Sequence, residues 1–260
     1  MKIKPIIIIF SCFCIYFILD DLCFNFLRNI LDQTIQNRGI SHNISYLVLG
    51  LPLFIGVLLI DKPVNFLKNL GLNSSLFIGL IFSIICTLPM FIGFAFLFPF
   101  NSELTMNEFL IAGIAAALFE ELYFRGFLFG LPFKYSRLGF ILSVISGAVL
   151  FALIHLYQSQ DLTTLIGIFL TTFIGAIIFS WVYVEWKFNL WVPIGLHFFM
   201  NVSWMLFSVS DNALGDLYAN IFRIITILLI FTITFIYKRR FKIPFCITKK
   251  SIWIISDKLK

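Results

Sequence analysis

The stretch from Phe109 to Leu131, FLIAGIAAALFEELYFRGFLFGL, contains only three charged residues, Glu120, Glu121 and Arg125. About 20 apolar residues at 1.5 Å each are enough for a helix to cross the hydrocarbon core of a bilayer. Charged side chains are costly at that depth and normally have partners and a function. The stretch therefore predicts a transmembrane helix with a polar site near its middle.

Two further apolar stretches carry polar residues of the same kind. His155 follows Phe151 by four residues, and His197 precedes Asn201 by four residues. Counted along predicted helices, these residues and Glu120 lie at similar depths in the membrane. The three clusters together predict a polar site buried inside a helical membrane bundle.

The composition excludes an ordinary soluble domain. Hydrophobic residues make up 60% of the chain and charged residues 12%, whereas a soluble domain has about 25% charged residues. The net charge of +6 is concentrated after the last apolar stretch, where the positive-inside rule explains it. We therefore expect membrane lipids as partners, including anionic headgroups near this tail, and no nucleic acid.

Hydropathy predicts an all-α, polytopic membrane bundle of about eight transmembrane helices. The predicted spans are 5–19, 44–60, 76–100, 108–131, 140–157, 162–184, 188–209 and 217–237. Lysine and arginine are concentrated in alternate loops, so we expect a multi-pass protein of the plasma membrane with both termini in the cytoplasm. Asp20 and Asp21 stand where a signal peptidase site would follow the first span, which favours a retained signal anchor.

Three regions follow from these spans. The predicted regions are 1–104 with N-terminal transmembrane helices, 105–210 with the three polar clusters, and 211–260 with the last transmembrane helix and a basic cytoplasmic tail. The five cysteines are scattered with no metal-ligand spacing, and we interpret them as small hydrophobic residues. His42 lies between Ser41 and Asn43, and we expect it in a polar surface loop.

The glutamate cluster suits acid–base chemistry. On an α-helix, Glu121 and Arg125 are neighbours and can form an ion pair, while Glu120 points about 100° away. A carboxylate in that position can take a proton from water and return it later, as a general base does. The alternative is an intramembrane salt bridge that locks helix packing, but it leaves Glu120 unexplained.

The histidine clusters allow several interpretations. His197 and Asn201 share one helical face and could donate hydrogen bonds to an oxyanion; interhelical packing is the alternative. His155 could assist a base or bond to a neighbouring backbone. Glu120, His155 and His197 could also bind one divalent metal ion such as zinc, with water as the fourth ligand. The sequence leaves metal binding open.

Glu120-Glu121-Leu-Tyr-Phe-Arg125, Phe151-Ala-Leu-Ile-His155 and His197-Phe-Phe-Met-Asn201 occur in this order on successive apolar stretches. Together they resemble the three signatures of the CPBP family, intramembrane proteases related to type II CAAX prenyl endopeptidases and bacteriocin-processing proteins. The family patterns are Glu-Glu-x-x-x-Arg, Phe-x-x-x-His and His-x-x-x-Asn or Asp, and the chain departs from none of them.

The resemblance implies an eight-helix bundle with a conical cavity that opens to the membrane and the cytosol. It implies that Glu120 activates water with help from His155, while His197 and Asn201 stabilise the oxyanion. Glu121, Arg125 and Phe151 would support the site. The family is described both as metalloproteases and as glutamate-dependent enzymes without metal. We expect a bacterial enzyme that cleaves a membrane-bound peptide or protein.

Two other functions remain open at the level of sequence. The first is a non-catalytic membrane binding protein, for example a bacteriocin self-immunity factor. The second is a proton-coupled transporter, since glutamate and histidine at the midplane also suit a proton relay. Against a transporter, the sequence shows no inverted repeat and no matching pair of broken spans.

Overall fold

The computed structural model describes residues 2–254, and they form a helical bundle. Within that range the one extended pairing is an isolated bridge between Leu138 and Ile254. The α-helices are α1 (Ile3–Ile35), α2 (Arg38–Leu49), α3 (Leu51–Ile60), α4 (Phe66–Leu70), α5 (Leu76–Leu97), α6 (Met106–Glu108), α7 (Gly130–Tyr135), α8 (Phe140–Leu153), α9 (Leu162–Glu185), α10 (Trp191–Leu206) and α11 (Leu217–Arg240). A π-helix, Phe109–Phe129, joins α6 to α7, and short 3₁₀ turns cover Pro63–Asn65 and Leu156–Gln158. The predicted all-α class is confirmed.

Among the described residues, six helical segments are long and apolar enough to cross a membrane. They are Ile3–Ile35, Arg38–Ile60, Leu76–Leu97, Phe140–Gln158, Leu162–Glu185 and Leu217–Arg240. The π-helix with Glu120 and helix α10 with His197 lie outside this set; α10 has only 16 residues. The chain is therefore a multi-pass membrane protein, and the number of eight spans stays a prediction.

The start of the chain differs from the prediction. Helix α1 has 33 residues and continues through Asp20 and Asp21, well beyond the predicted end at residue 19. The prediction of a surface loop around His42 is wrong, because His42 lies in α2. Its ring lies 4.8 Å from that of Phe24 and 5.1 Å from that of Tyr46. The prediction was wrong because Ser41 and Asn43, the polar neighbours of His42, are typical of a surface loop.

Helices α5 and α10 approach each other closely through glycine. A Cβ atom at Gly79 would lie 2.6 Å from the backbone carbon of Trp191, and one at Gly195 would lie 2.5 Å from Oγ of Ser83. Small residues allow this spacing between membrane helices. The contact fixes the position of α10, which carries two of the candidate site residues.

The segment after α11 folds back against the bundle. Backbone N–H groups of residues 139–141 donate to carbonyl groups of residues 251–253, at 2.7–2.9 Å. Those donors lie at the start of α8, where a helix has no partners of its own for its first N–H groups. The tail therefore completes the N-terminus of α8.

A buried ion pair holds the same segment. Nζ of Lys238 lies 2.5 Å from Oε2 of Glu185, and these side chains are 1% and 0% exposed. The Glu185 carboxylate also accepts the backbone N–H groups of Cys246 and Ile247, at 3.0 and 2.9 Å. Lys238 therefore lies inside α11, one residue past the predicted end of the last span at residue 237, and is buried by this segment.

Candidate active site

Glu121 lies at the centre of the polar site. Its Oε1 atom is 3.2 Å from Nη1 of Arg125, as the spacing of four residues predicts, and 2.8 Å from Nδ1 of His197 on α10. Glu121 is 0% and Arg125 2% exposed. A buried carboxylate without partners would be costly, so this pairing explains how the charges are tolerated.

Glu120 faces a different direction from Glu121 and is partly accessible. Its side chain is 20% exposed, and its Oε2 atom lies 4.0 Å from Nε2 of His197. That distance is too long for a direct hydrogen bond. Among residues 2–254, Oε2 of Glu120 has no hydrogen-bond partner. The imidazole of His197 therefore stands between the two glutamates, bonded to one and facing the other.

His155 is joined to this centre through Phe151. The guanidinium carbon of Arg125 lies 4.1 Å from the centroid of the Phe151 ring, a cation–π geometry. The ring centroids of Phe151 and His155 are 4.5 Å apart, and Nδ1 of His155 lies 2.6 Å from the Phe151 carbonyl oxygen. Helix α8 ends at Leu153, so His155 occupies the turn that follows the helix.

Asn201 lies one turn after His197 on α10 and contacts the π-helix at a second point. Its Nδ2 atom donates to the carbonyl oxygen of Ala112 at 2.8 Å. A carboxamide nitrogen carries two hydrogens, and this bond uses one of them. The other hydrogen is available to a ligand. The bond also ties α10 to the π-helix.

The histidine hydrogen bonds indicate which ring nitrogen carries a proton. A carbonyl oxygen can only accept, so Nδ1 of His155 donates to it and Nε2 is left as an acceptor when the ring is neutral. The Glu121 carboxylate likewise accepts from Nδ1 of His197. Both Nε2 atoms are then directed away from the backbone or carboxylate that holds the ring.

The candidate metal ligands Glu120, His155 and His197 are not gathered into one ligand set. In the part of the chain that the structure describes, no group of three His, Cys, Asp or Glu residues lies close enough to hold a metal ion. Each of the two histidines bonds a protein partner through Nδ1 and has Nε2 unengaged.

Phe179 on α9 is a member of the site that the sequence did not indicate. Its ring centroid lies 5.6 Å from the guanidinium carbon of Arg125 and 6.2 Å from the His197 ring. One phenylalanine among 34 carries no distinguishing spacing. It closes the ring of contacts around Arg125.

Comparison with known proteins supports the motif-based resemblance. Residues 101–203 match the family model described as type II CAAX prenyl endopeptidase Rce1-like. No curated protein and no solved structure matches the chain. The matched segment includes Glu120, His155, His197 and Asn201, the residues whose geometry is described above. Over this segment the chain is similar to the Rce1-like type II CAAX prenyl endopeptidases, which agrees with the resemblance of its three motifs.

Proposed function

We propose that this protein is an endopeptidase that hydrolyses a peptide bond of a membrane-associated protein or peptide by glutamate-activated water. The observation that carries the proposal is the placement of Glu120 opposite His197. Oε2 of Glu120 and Nε2 of His197 are 4.0 Å apart, and the glutamate oxygen has no partner among the described residues. One water molecule can hydrogen-bond to both atoms at that separation.

The reaction begins when Glu120 accepts a proton from this water as the water attacks the scissile carbonyl carbon. Glu120 then returns the proton to the leaving amine, so it ends the cycle in its starting state. His155 assists through Nε2, which is free to accept a proton because Nδ1 bonds the Phe151 carbonyl. Two groups that exchange protons with one water make attack at neutral pH feasible.

The oxyanion formed by attack needs hydrogen-bond donors. Asn201 supplies the Nδ2 hydrogen that does not bond Ala112, and His197 assists from one turn earlier on α10. The Glu121 carboxylate holds the His197 ring in place through Nδ1, at 2.8 Å. Glu121 is thus a positioning residue for His197, with Arg125 holding Glu121 in turn.

The substrate class follows from where the site lies. The site residues are borne by apolar helices, and the matching family model is described as a prenyl endopeptidase. The substrate we propose is therefore a peptide or protein that is itself held in the membrane. The bacterial origin and the plasma membrane location belong to this proposal.

The test is a comparison of cleavage products in cells. Membrane proteins and peptides from cells that produce the wild type, Glu120→Gln or Glu103→Gln are compared by mass spectrometry of their N-termini. Glutamine keeps the side-chain size but cannot accept the proton. Glu103 is an exposed glutamate outside the site and serves as the matched control.

We expect N-termini that are present with the wild type and Glu103→Gln and absent with Glu120→Gln at equal membrane levels. If Glu120→Gln gives every product of the wild type, the hydrolytic role of Glu120 is wrong. If that variant also protects cells against a bacteriocin as the wild type does, a binding function replaces the enzymatic one.

A further inference from the structure

A pocket opens at the end of α11, where the C-terminal segment folds back. Its volume is about 510 Å³, and small-molecule sites in proteins measure about 300–1,000 Å³. The lining includes two basic residues and four large apolar residues: Arg239, Lys242, Phe235, Ile236, Ile243 and Phe245. The pocket therefore combines positive charge with an apolar wall.

The apolar wall is held in place by packing and by the buried ion pair. The ring centroids of Phe235 and Phe245 lie 4.9 Å apart, so the folded-back segment packs against α11. Nζ of Lys238, which pairs with Glu185, also donates to the Pro244 carbonyl oxygen at 2.9 Å. Phe235 is nevertheless 52% exposed. The wall is thus fixed by the protein and still presents apolar surface to a ligand.

The chain reverses direction at Lys242, directly after α11. The N–H group of Lys242 donates to the Arg239 carbonyl oxygen at 3.3 Å, and that of Ile243 donates to the Lys238 carbonyl oxygen at 2.9 Å. These two bonds are those of a Schellman motif, in which glycine is the usual residue at the turning point. Lys242 has a φ of 53° there, a conformation that a side chain makes unfavourable. A lysine is therefore kept at the mouth of the pocket against a backbone preference.

The positive charge of the pocket is not used within the described residues. In the range 2–254, neither the Arg239 guanidinium nor the Lys242 ammonium forms an ion pair or a hydrogen bond, and both residues are exposed. Lys238 adds no net charge, because Glu185 neutralises it. The C-terminal end of a helix carries about half a negative charge, which is less than the two positive charges. The pocket therefore attracts an anion.

The pocket lies at the depth of the lipid headgroups. Helix α11 has 24 residues and is about 36 Å long, whereas the hydrocarbon core of a bilayer is about 30 Å thick. Near its end the Trp186 ring stacks on Tyr237, with centroids 4.6 Å apart, and both residue types are enriched where lipid meets water. Ile236 is 62% exposed and lies about one helical turn before Arg239. Apolar surface and positive charge thus follow each other from lipid to water.

We propose that this pocket is a binding site for one anionic phospholipid. Arg239 and Lys242 contact the phosphate, and an acyl chain lies along Phe235 and Ile236. A guanidinium group can form two parallel hydrogen bonds with a phosphate, and a free phosphate would leave the apolar wall uncovered. A zwitterionic lipid fits less well, because its own cation meets these two. The site does not depend on the proposed function, and it replaces a general attraction to anionic headgroups with one defined position.

The test counts lipids bound to the full chain. The protein is purified in a neutral detergent and titrated with dioleoylphosphatidylglycerol, dioleoylphosphatidylcholine or inorganic phosphate, and native mass spectrometry gives the number bound and the Kd. The double variant Arg239→Gln/Lys242→Gln removes both charges of the pocket. Arg240→Gln/Lys249→Gln is the matched control, because it removes the same net charge from exposed residues that do not line the pocket.

We expect the wild type to bind one phosphatidylglycerol at least about tenfold more tightly than phosphatidylcholine, since each basic residue near a membrane surface contributes about a fivefold gain. The pocket variant should lose this preference, and the control variant should keep it. An equal loss in both double variants would show attraction to net charge alone and would overturn the proposal. Inorganic phosphate bound as tightly as the lipid, through the same two residues, would assign the pocket to a free anion.

A further variant tests the apolar wall while every charge is kept. Ile236→Ser should weaken phosphatidylglycerol binding at least about threefold, because apolar surface that the lipid covers is lost. Ile224→Ser is its control, since Ile224 lies on the same helix, is 55% exposed and does not line the pocket. Wild-type affinity in Ile236→Ser would contradict the position proposed for the acyl chain.

Discussion

Glu121 and His197 lie on different helices, and Oε1 of the glutamate is 2.8 Å from Nδ1 of the histidine. This contact joins the π-helix to α10 at the level of the site. It also fixes the imidazole so that Nε2 faces Glu120. Glu121 therefore bonds one edge of the His197 ring, and Glu120 faces the opposite edge at a distance too long for a hydrogen bond.

Substitution of Glu121 is expected to affect stability as well as activity. In Glu121→Gln the Arg125 guanidinium, 2% exposed, remains buried without its counter-charge. Breaking a buried pair in this way costs about 3–5 kcal/mol. Thermal unfolding of the purified protein in detergent measures the loss. The double variant Glu121→Gln/Arg125→Met removes the stranded charge and should recover part of the stability but none of the activity.

Gly79→Ala is expected to push α10 away from α5. The added methyl group would lie 2.6 Å from the Trp191 backbone, which cannot move independently of its helix. Overpacking of this kind costs roughly 1–3 kcal/mol. Gly175→Ala is the control, because a Cβ atom there meets nothing within 4 Å. A lower unfolding temperature for the second variant than for the first would contradict this account of the helix contact.

Lys134 makes stability depend on pH. It follows the predicted span 108–131 and donates to the Asn69 carbonyl oxygen at 2.7 Å. Burial, with a smaller effect of Lys68, lowers the pKa of Lys134 from 10.5 to about 7. Between these values the unfolded chain binds more protons than the folded chain, so the free energy of unfolding rises with pH.

The measurement is the unfolding temperature of the wild type and Lys134→Met between pH 7 and the 10.5 of a free lysine. We expect the wild-type value to rise relative to that of the variant across this window. Other groups that titrate there contribute equally to both proteins and cancel in the difference. If the unfolding temperatures of the two proteins change with pH in parallel, the environment of Lys134 does not favour its neutral form.

The ion pair between Glu185 and Lys238 is expected to protect the C-terminal segment from proteases. Glu185→Gln weakens the pair and the two bonds from the backbone of residues 246–247. Trypsin should then cut after Lys249 or Lys250 faster than in the wild type, while Glu103→Gln should behave as the wild type does. Identical digestion of all three proteins would mean that this segment is held by its other contacts alone.

Much of the site was predictable because its signals are local. The carboxylate pair, the spacing of Glu121 and Arg125, and the three ordered motifs can all be identified within short stretches of sequence. The contact of Glu121 with His197 was not predictable, since it depends on how two helices are rotated against each other. The expectation that His197 and Asn201 act together as free donors missed that each first bonds a neighbour on the π-helix.

The fold was likewise predictable in part from the sequence. Hydropathy predicted the helical class and most helix boundaries to within a few residues, because long apolar runs leave few alternatives in a membrane. It failed where a polar residue packs against aromatic rings, at His42 in α2. Residue type alone would place such a polar residue at the protein surface.

The docking of residues 251–253 on the start of α8 sets the order in which the protein matures. Helix α8 leads to Phe151 and His155, and its first N–H groups gain their partners only when the tail has been synthesised. Translation adds roughly 5–20 residues per second, so the helix waits several seconds for this contact. A nascent chain in the membrane therefore lacks these partners of α8 until residues 251–253 have been made.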